Sequence, residues 1–349
     1  MHRPITDEDD TVKVKQRASA PLPRRSLLLP LAAGGTAILA AAFGGALLAR
    51  RWLAPSSAAA PDFAIDTETE AGIDATVPCN IKLSYFALDR NVVVIDFADL
   101  LTQGLTLNRI AAFVEKAGAP RNRVLDDADL AAAIAATGDT AESYYYGHDY
   151  QASDLARFFA LAGAENIALN QHELWLKDLL TQLGWLTPGA VGAIITVPAA
   201  GGPIAPDMRA VILHHEISHG AFYTVPEYRA YTESFWYSLT DADRAAFTDF
   251  LGRQGYDTSD TELMLNETQA YLVFTHDPRF FNAAAVGMTE GFVTQLREGF
   301  IAGMPDFWLK PMADATLPPA AAVGAACTAA IFPKTCLCYV QQPTQRRIS

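Results

Sequence analysis

The chain has 349 residues, half of them apolar, and a formal net charge of −13. So much apolar material excludes a disordered protein, and the length suits one large domain or two modest ones. No basic patch follows the first fifty residues, which excludes a phosphate-backbone binder; nucleic acid is not an expected partner.

Residues 1–25 read as a polar tail ending in Arg24-Arg25, and residues 26–49 then carry no charge before Arg50-Arg51-Trp52. An uncharged run of that length, rich in Leu, Ala and Gly, spans a bilayer as one helix. Lys13, Lys15, Arg17, Arg24 and Arg25 outnumber Arg50 and Arg51, which puts the amino terminus in the cytoplasm and the rest outside, in a periplasmic-type compartment. A second reading takes Arg24-Arg25-Ser26-Leu27-Leu28 as a twin-arginine-like export signal, with Ala58-Ala59-Ala60 as its cleavage site. Both export the remainder; they differ in whether it stays tethered.

Residues 50–71 are expected to be a linker, since from Ser56 onward Ala, Pro, Thr and acidic residues occur without apolar periodicity. A globular region over 72–349 follows. Asn91 to Phe97 and Ala190 to Pro198 are β-branched, bounded runs that predict two short strands. Apolar spacing predicts helices near 107–117, 127–136, 153–162, 171–183, 207–219, 227–238, 241–253, 260–274 and 290–302. The fold class is therefore α+β, mainly helical with a small sheet. The tail from Leu317 to Ala330 is small-residue and proline-containing, too short to span a membrane. Cys79, Cys327, Cys336 and Cys338 fall on the exported side, which suits disulfides. Cys336 and Cys338 are more readily bonded to Cys79 and Cys327 than to each other, and the pairing stays open.

The most informative segment is His215-Glu216-Ile217-Ser218-His219. Residues four apart share a helix face, so both imidazoles can hold one metal ion while Glu216 reaches a water on it. Asp207 is the expected N-cap. Met208, Val211, Ile212, His215 and His219 continue one face, and Gly220 is the expected stop, which puts the metal near the helix's carboxyl end. His214 points about a hundred degrees away and is not a ligand on this helix. Glu267 lies in Leu263-Met264-Leu265-Asn266-Glu267-Thr268-Gln269-Ala270-Tyr271-Leu272. Apolar residues crowd it on both sides, so it is expected to be buried against a cation and to complete the ligand set.

These residues resemble the gluzincin class of zinc metallopeptidases, where a His-Glu-x-x-His helix is completed by a glutamate on a later helix; Asn266-Glu267 with Ala270 matches the Asn-Glu-x-x-Ala form. The resemblance covers roughly residues 190–275 and implies a zincin-like fold with the site between a strand-bearing part and a helical part. It also implies Zn²⁺ on His215, His219 and Glu267, with Glu216 as the general base that takes a proton from the zinc-bound water attacking a peptide bond. Some gluzincins place an Asp four residues after the ligand glutamate to orient a zinc histidine, whereas this chain has Tyr271. Asp207, Glu233 or backbone carbonyls are the alternatives for that role.

Tyr223, Tyr228, Tyr231, Tyr271 and His276 are candidates for stabilising an oxyanion. His172-Glu173 begins a similar motif, but Leu176 ends it. His148 sits in the tyrosine-rich loop Tyr144 to Tyr150, and the strand ending at Val197 is a candidate edge for an extended peptide. The expected function is a membrane-tethered, exported zinc metallopeptidase acting on peptides or proteins of the cell envelope. The alternative is an inactive zincin-like module that binds an envelope partner, against which the intact Glu216 speaks.

Overall fold

The computed structural model describes residues 62–315. The expected membrane segment 26–49, the paired arginines, most of the expected linker, and Cys327, Cys336 and Cys338 lie outside the described residues. Among the described residues no helix is long and apolar enough to cross a membrane.

The α+β class holds: one five-stranded mixed sheet is covered by helices on both faces. Its strands are β1 (Asp66–Glu68), β2 (Ile81–Phe86), β3 (Asp89–Phe97), β4 (His148–Gln151) and β5 (Ala193–Pro198), in the order β1-β2-β3-β5-β4. β3 and β5 pair in parallel, while β2 with β3 and β4 with β5 are antiparallel. β1 occupies part of the segment expected to be linker. Its three residues pair in parallel with β2, a long-range partner that local composition does not reveal. β5 lies inside the sheet between β3 and β4, not at an edge; β4 is the edge on that side.

Strand alternation divides the apolar core in two. Val92, Val94, Ile195 and Val197 face one cluster, which includes Leu213, Ile217, Leu272 and Phe300. Val93, Ile95, Phe97 and Ile194 face the other, with Ile110, Phe158, Leu176 and Leu180.

The helices are α1 (Glu70–Asp74), α2 (Leu100–Val114), α3 (Asp127–Thr137), α4 (Ala152–Ala164), α5 (Gln171–Gln182), α6 (Pro206–Thr224), α7 (Pro226–Ser238), α8 (Asp241–Arg253), α9 (Thr261–Gln269), α10 (Glu290–Gly303) and α11 (Lys310–Ala313). Most start at an acid, Asn or Thr that caps its own first turn: Asp99, Asp126, Asn170, Thr240, Asp260 and Thr289. These side chains are local signals, which is why most expected helices fall close to the observed ones; the helix expected over 107–117 instead starts at Leu100, behind its Asp99 cap, and ends at Val114, and α1 and α11 were not expected. The stretch expected as one helix over 260–274 is instead α9 followed by a π-helical turn, Ala270–Phe274.

Helix α6 departs from expectation at both ends. Its N-cap is Ala205 without a side-chain cap, Pro206 takes the first turn, and Asp207 instead accepts from Arg279. Gly220 does not stop the helix, which runs on to Thr224. A Cβ at Gly220 would lie 2.9 Å from a Val92 methyl, so this glycine lets the helix lie close on β3. The two histidines consequently sit inside the helix, and the expected help from its carboxyl-terminal dipole is absent. Arg209 anchors α6 by donating to Asp96 (2.9 Å), Pro198 O (2.6 Å) and Ile73 O (2.7 Å). A buried guanidinium with that many acceptors fixes how the helix lies on β3, β5 and α1.

Candidate metal centre

His215, Glu216 and His219 lie along the face of α6 that meets α9 and β4, and all are buried. The four-residue spacing brings the two Nε2 atoms to 3.0 Å. Glu267, 1% exposed on α9, closes the triangle: Oε2 is 3.7 Å from His215 Nε2 and Oε1 is 3.7 Å from His219 Nε2. Tetrahedral zinc with bonds near 2.1 Å needs neighbouring ligand atoms roughly 3.4 Å apart. The observed separations bracket that value, so the three residues fit the ion. Glu267 Oε2 has no hydrogen-bond partner, a costly state for a buried carboxylate unless a cation meets it.

Ligand protonation agrees with this fit. Burial pushes His215 down to about 3 and His219 down to about 4, so both rings are neutral near pH 7 and offer lone pairs. For His215 the tautomer follows from one contact. Thr275 Oγ1 donates to Ala270 O (3.0 Å) and lies 2.8 Å from His215 Nδ1. A hydroxyl has a single hydrogen, so here it accepts from Nδ1–H, which leaves Nε2 bare toward Glu267. The π turn after α9 delivers Thr275 to that place. Neither Asp207 nor Glu233 takes the orienting role: Asp207 pairs with Arg279 and Glu233 is exposed. Behind His219, Nδ1 faces Asp149 Oδ1 at 3.7 Å.

Glu216 is 6% exposed and its Oε2 is unpartnered. Burial, then Glu267 and Glu115, pushes its carboxyl well above the usual range. Gly147 leaves room for it, because a Cβ there would lie 2.0 Å from Glu216 Oε1. The helices are held together by Gln269, which donates to Ser218 Oγ (3.2 Å) and accepts from Tyr228 (2.5 Å), while Ser218 donates to His215 O.

The structure sorts the remaining candidates. Tyr228 and Tyr231 are committed to Gln269 and Phe300 O. Tyr223 donates to Asp149 (2.8 Å) and accepts from Asn266 (3.2 Å), so it braces the centre from within. Tyr271 packs edge-on against His215 at 4.8 Å and is half-buried. His276 lines a separate cavity of about 240 Å³ beside Thr275. His214 turns away to Glu70 (2.6 Å). His148 belongs to β4 instead of a loop and contacts Thr196 (3.1 Å).

Four residues around the centre were given no individual role from the sequence: Glu115, Thr275, and Gly147 and Asp149 of the tyrosine-rich segment. Asp149 stands opposite Ile195 across the β4–β5 pair and so faces α6, whereas Glu115 caps α2. Both are buried, and oxygens of Glu115, Asp149 and Glu267 lie within 4.8 Å of one another. No family model, curated protein or solved structure matches this chain.

Proposed function

We propose that this protein is a zinc-dependent hydrolase of peptide bonds. The observation that carries the reading is the closure of His215, His219 and Glu267 to separations of 3.0–3.7 Å, with an unpartnered carboxylate, Glu216, on the same helix. Zinc, when bound, supplies Lewis acidity that acidifies a water and polarises the scissile carbonyl.

The chain's own residues do the rest. Thr275 holds His215 in the tautomer that presents Nε2, and Asp149 faces Nδ1 of His219. Glu216 accepts the proton of the attacking water and passes it to the departing amine. Tyr271, against His215, is the best-placed of the tyrosines to meet the developing oxyanion. We place the activity outside the cytoplasm, tethered or released according to whether residues 26–49 act as anchor or cleaved signal, with cell-envelope peptides or proteins as substrates.

Glu216→Gln tests the reading. The variant should retain about one zinc per chain and lose peptide hydrolysis by two or more orders of magnitude. A zinc-free wild-type protein, or undiminished cleavage by the variant, refutes it; a zinc-loaded wild type with no hydrolysis supports the inactive binding module instead.

A further inference from the structure

We propose that the cavity behind His215 binds a short zwitterionic peptide, a dipeptide with an apolar side chain, whose carboxylate meets Arg297 and whose ammonium meets Glu290. The site stands without the zinc reading. Its sense as a place where a product of peptide hydrolysis reports back to the metal centre rests on that reading.

The cavity, of about 240 Å³, lies beside Thr275 and is lined by Phe281, Ala283, Glu290, Val293 and Arg297. Thr275 holds Nδ1 of His215, whereas Nε2 faces Glu267, so the cavity is behind the ligand histidine and apart from the metal. Its volume falls just under the range of pockets for drug-sized ligands, which suits a smaller body. Phe281, Ala283 and Val293 are buried and give it apolar walls for one aliphatic side chain.

Opposite charges stand at the two ends of one helix face. Glu290, Val293 and Arg297 follow at spacings of three and four along α10 and all line the cavity. Carboxylate and guanidinium are two turns apart, about 10 Å of helix. An extended dipeptide is roughly 7 Å long, and a charge-assisted hydrogen bond of about 2.8 Å at either end lets it bridge that distance.

Neither charge is met within the fold. Arg297 is half-buried and gives its Nε to Leu272 O (2.7 Å). Its remaining N–H groups form no ion pair among the described residues, and neither does Glu290. Arg109 and Arg209, by contrast, meet Glu173 at 2.7 Å and Asp96 at 2.9 Å. A guanidinium fork of this kind matches a carboxylate. Burial and Arg297 hold His276 below the usual histidine range, so Arg297 carries the positive charge of the cavity near pH 7. The chain beyond Ala315 contains no Asp or Glu; its terminal segment has no side-chain carboxylate to offer, which favours an external ligand. A peptide seated here touches Thr275, one hydrogen bond from His215 (2.8 Å), and Phe281, whose ring lies 6.2 Å from that of Tyr271. Occupancy therefore biases how His215 is held.

The test is isothermal titration of the dipeptide alanyl-leucine into the full-length, zinc-loaded Glu216→Gln chain, which on the proposed reading does not turn the peptide over. Alanyl-leucine should bind, and its N-acetyl and carboxamide forms should each bind at least about tenfold more weakly, since each loses one charged contact. Adding Arg297→Gln should abolish the preference for carboxylate over carboxamide. Adding Glu290→Gln, at an exposed position, should abolish the preference for the free amine, and it serves if the arginine variant folds poorly. Stripping zinc with a chelator should leave the binding and its dependence on Arg297 in place, altered only by the factor by which the dipeptide alters zinc affinity. No binding, or equal affinity for the three forms, overturns the site. Binding that vanishes with zinc and ignores both substitutions places the peptide on the metal, which overturns the cavity site and keeps the zinc reading. Absence of zinc from the wild type overturns that reading and leaves the cavity test standing.

Discussion

Replacing Gly147 by alanine is a sharp test of how Glu216 is held. A Cβ at this position would lie 2.0 Å from Glu216 Oε1, 2.7 Å from its Cδ and 3.0 Å from an Ile212 methyl. Ordinary contact begins near 3.4 Å, so the carboxylate must retreat by about 1.4 Å. Gly147 is not among the glycines with positive φ, so alanine brings no backbone strain, and a glutamate terminus moves at little cost. Misplacing a reacting group by about 1 Å costs on the order of a hundredfold in rate. Gly147→Ala should therefore lose about a hundredfold or more in kcat for peptide hydrolysis, with zinc content unchanged and Tm within a few degrees of wild type. Peptide cleavage, metal counting and calorimetry on the same preparation separate these effects. Wild-type kcat in a folded, zinc-loaded Gly147→Ala protein would falsify the placement of Glu216 as the base.

Other expectations follow from single contacts. Thr275→Val keeps the shape but removes the acceptor of His215 Nδ1, and should weaken zinc roughly 10- to 100-fold in chelator competition, with Thr275→Ser restoring it; equal affinity in the valine variant refutes the tautomer assignment. Burial holds His148 down at about 3 in the fold, against 6.5 for an ordinary histidine. The unfolded chain thus binds a proton that the fold refuses, and stability present above 6.5 is lost as pH falls toward 3. His148→Gln should reduce the slope of stability against pH in that window by about 1.4 kcal/mol per pH unit, and an unchanged slope in urea titrations at several pH values counts against a neutral buried imidazole. Arg109→Met strands Glu173, whose side chain is 1% exposed, and should cost roughly 3–5 kcal/mol in urea unfolding. A loss below 1 kcal/mol argues that Glu173 has already taken a proton.

Legibility in the sequence followed the range of the interactions. The helices that begin at Asp126, Asn170 and Thr240 were readable because cap and first turn are three residues apart. Strand β3 was readable because Val92 to Ile95 is a continuous β-branched run. β1 and β4, with three and four residues, carry too little pattern of their own and exist through pairing with β2 and β5. Gly220 misled because glycine ends helices often, and only the closeness of Val92 shows its use here. The burial of Glu267 was legible from the apolar residues around it, which local sequence displays.

By itself the sequence determined that His215 and His219 share a helix face with Glu216 between them, because helical spacing is a local property. It determined also that Glu267 lies in an apolar helix, where a buried carboxylate needs a partner. Tertiary structure decided the rest of the centre. Thr275 reaches His215 across 60 positions, and Tyr223 meets Asp149 across 74. Gly147 opens space for a carboxylate far along the chain, and Glu115 arrives from the end of α2. Such contacts are fixed by how β4, α2 and the π turn pack on α6. No periodicity encodes them, since each partner is an ordinary residue until the fold sets it beside the other.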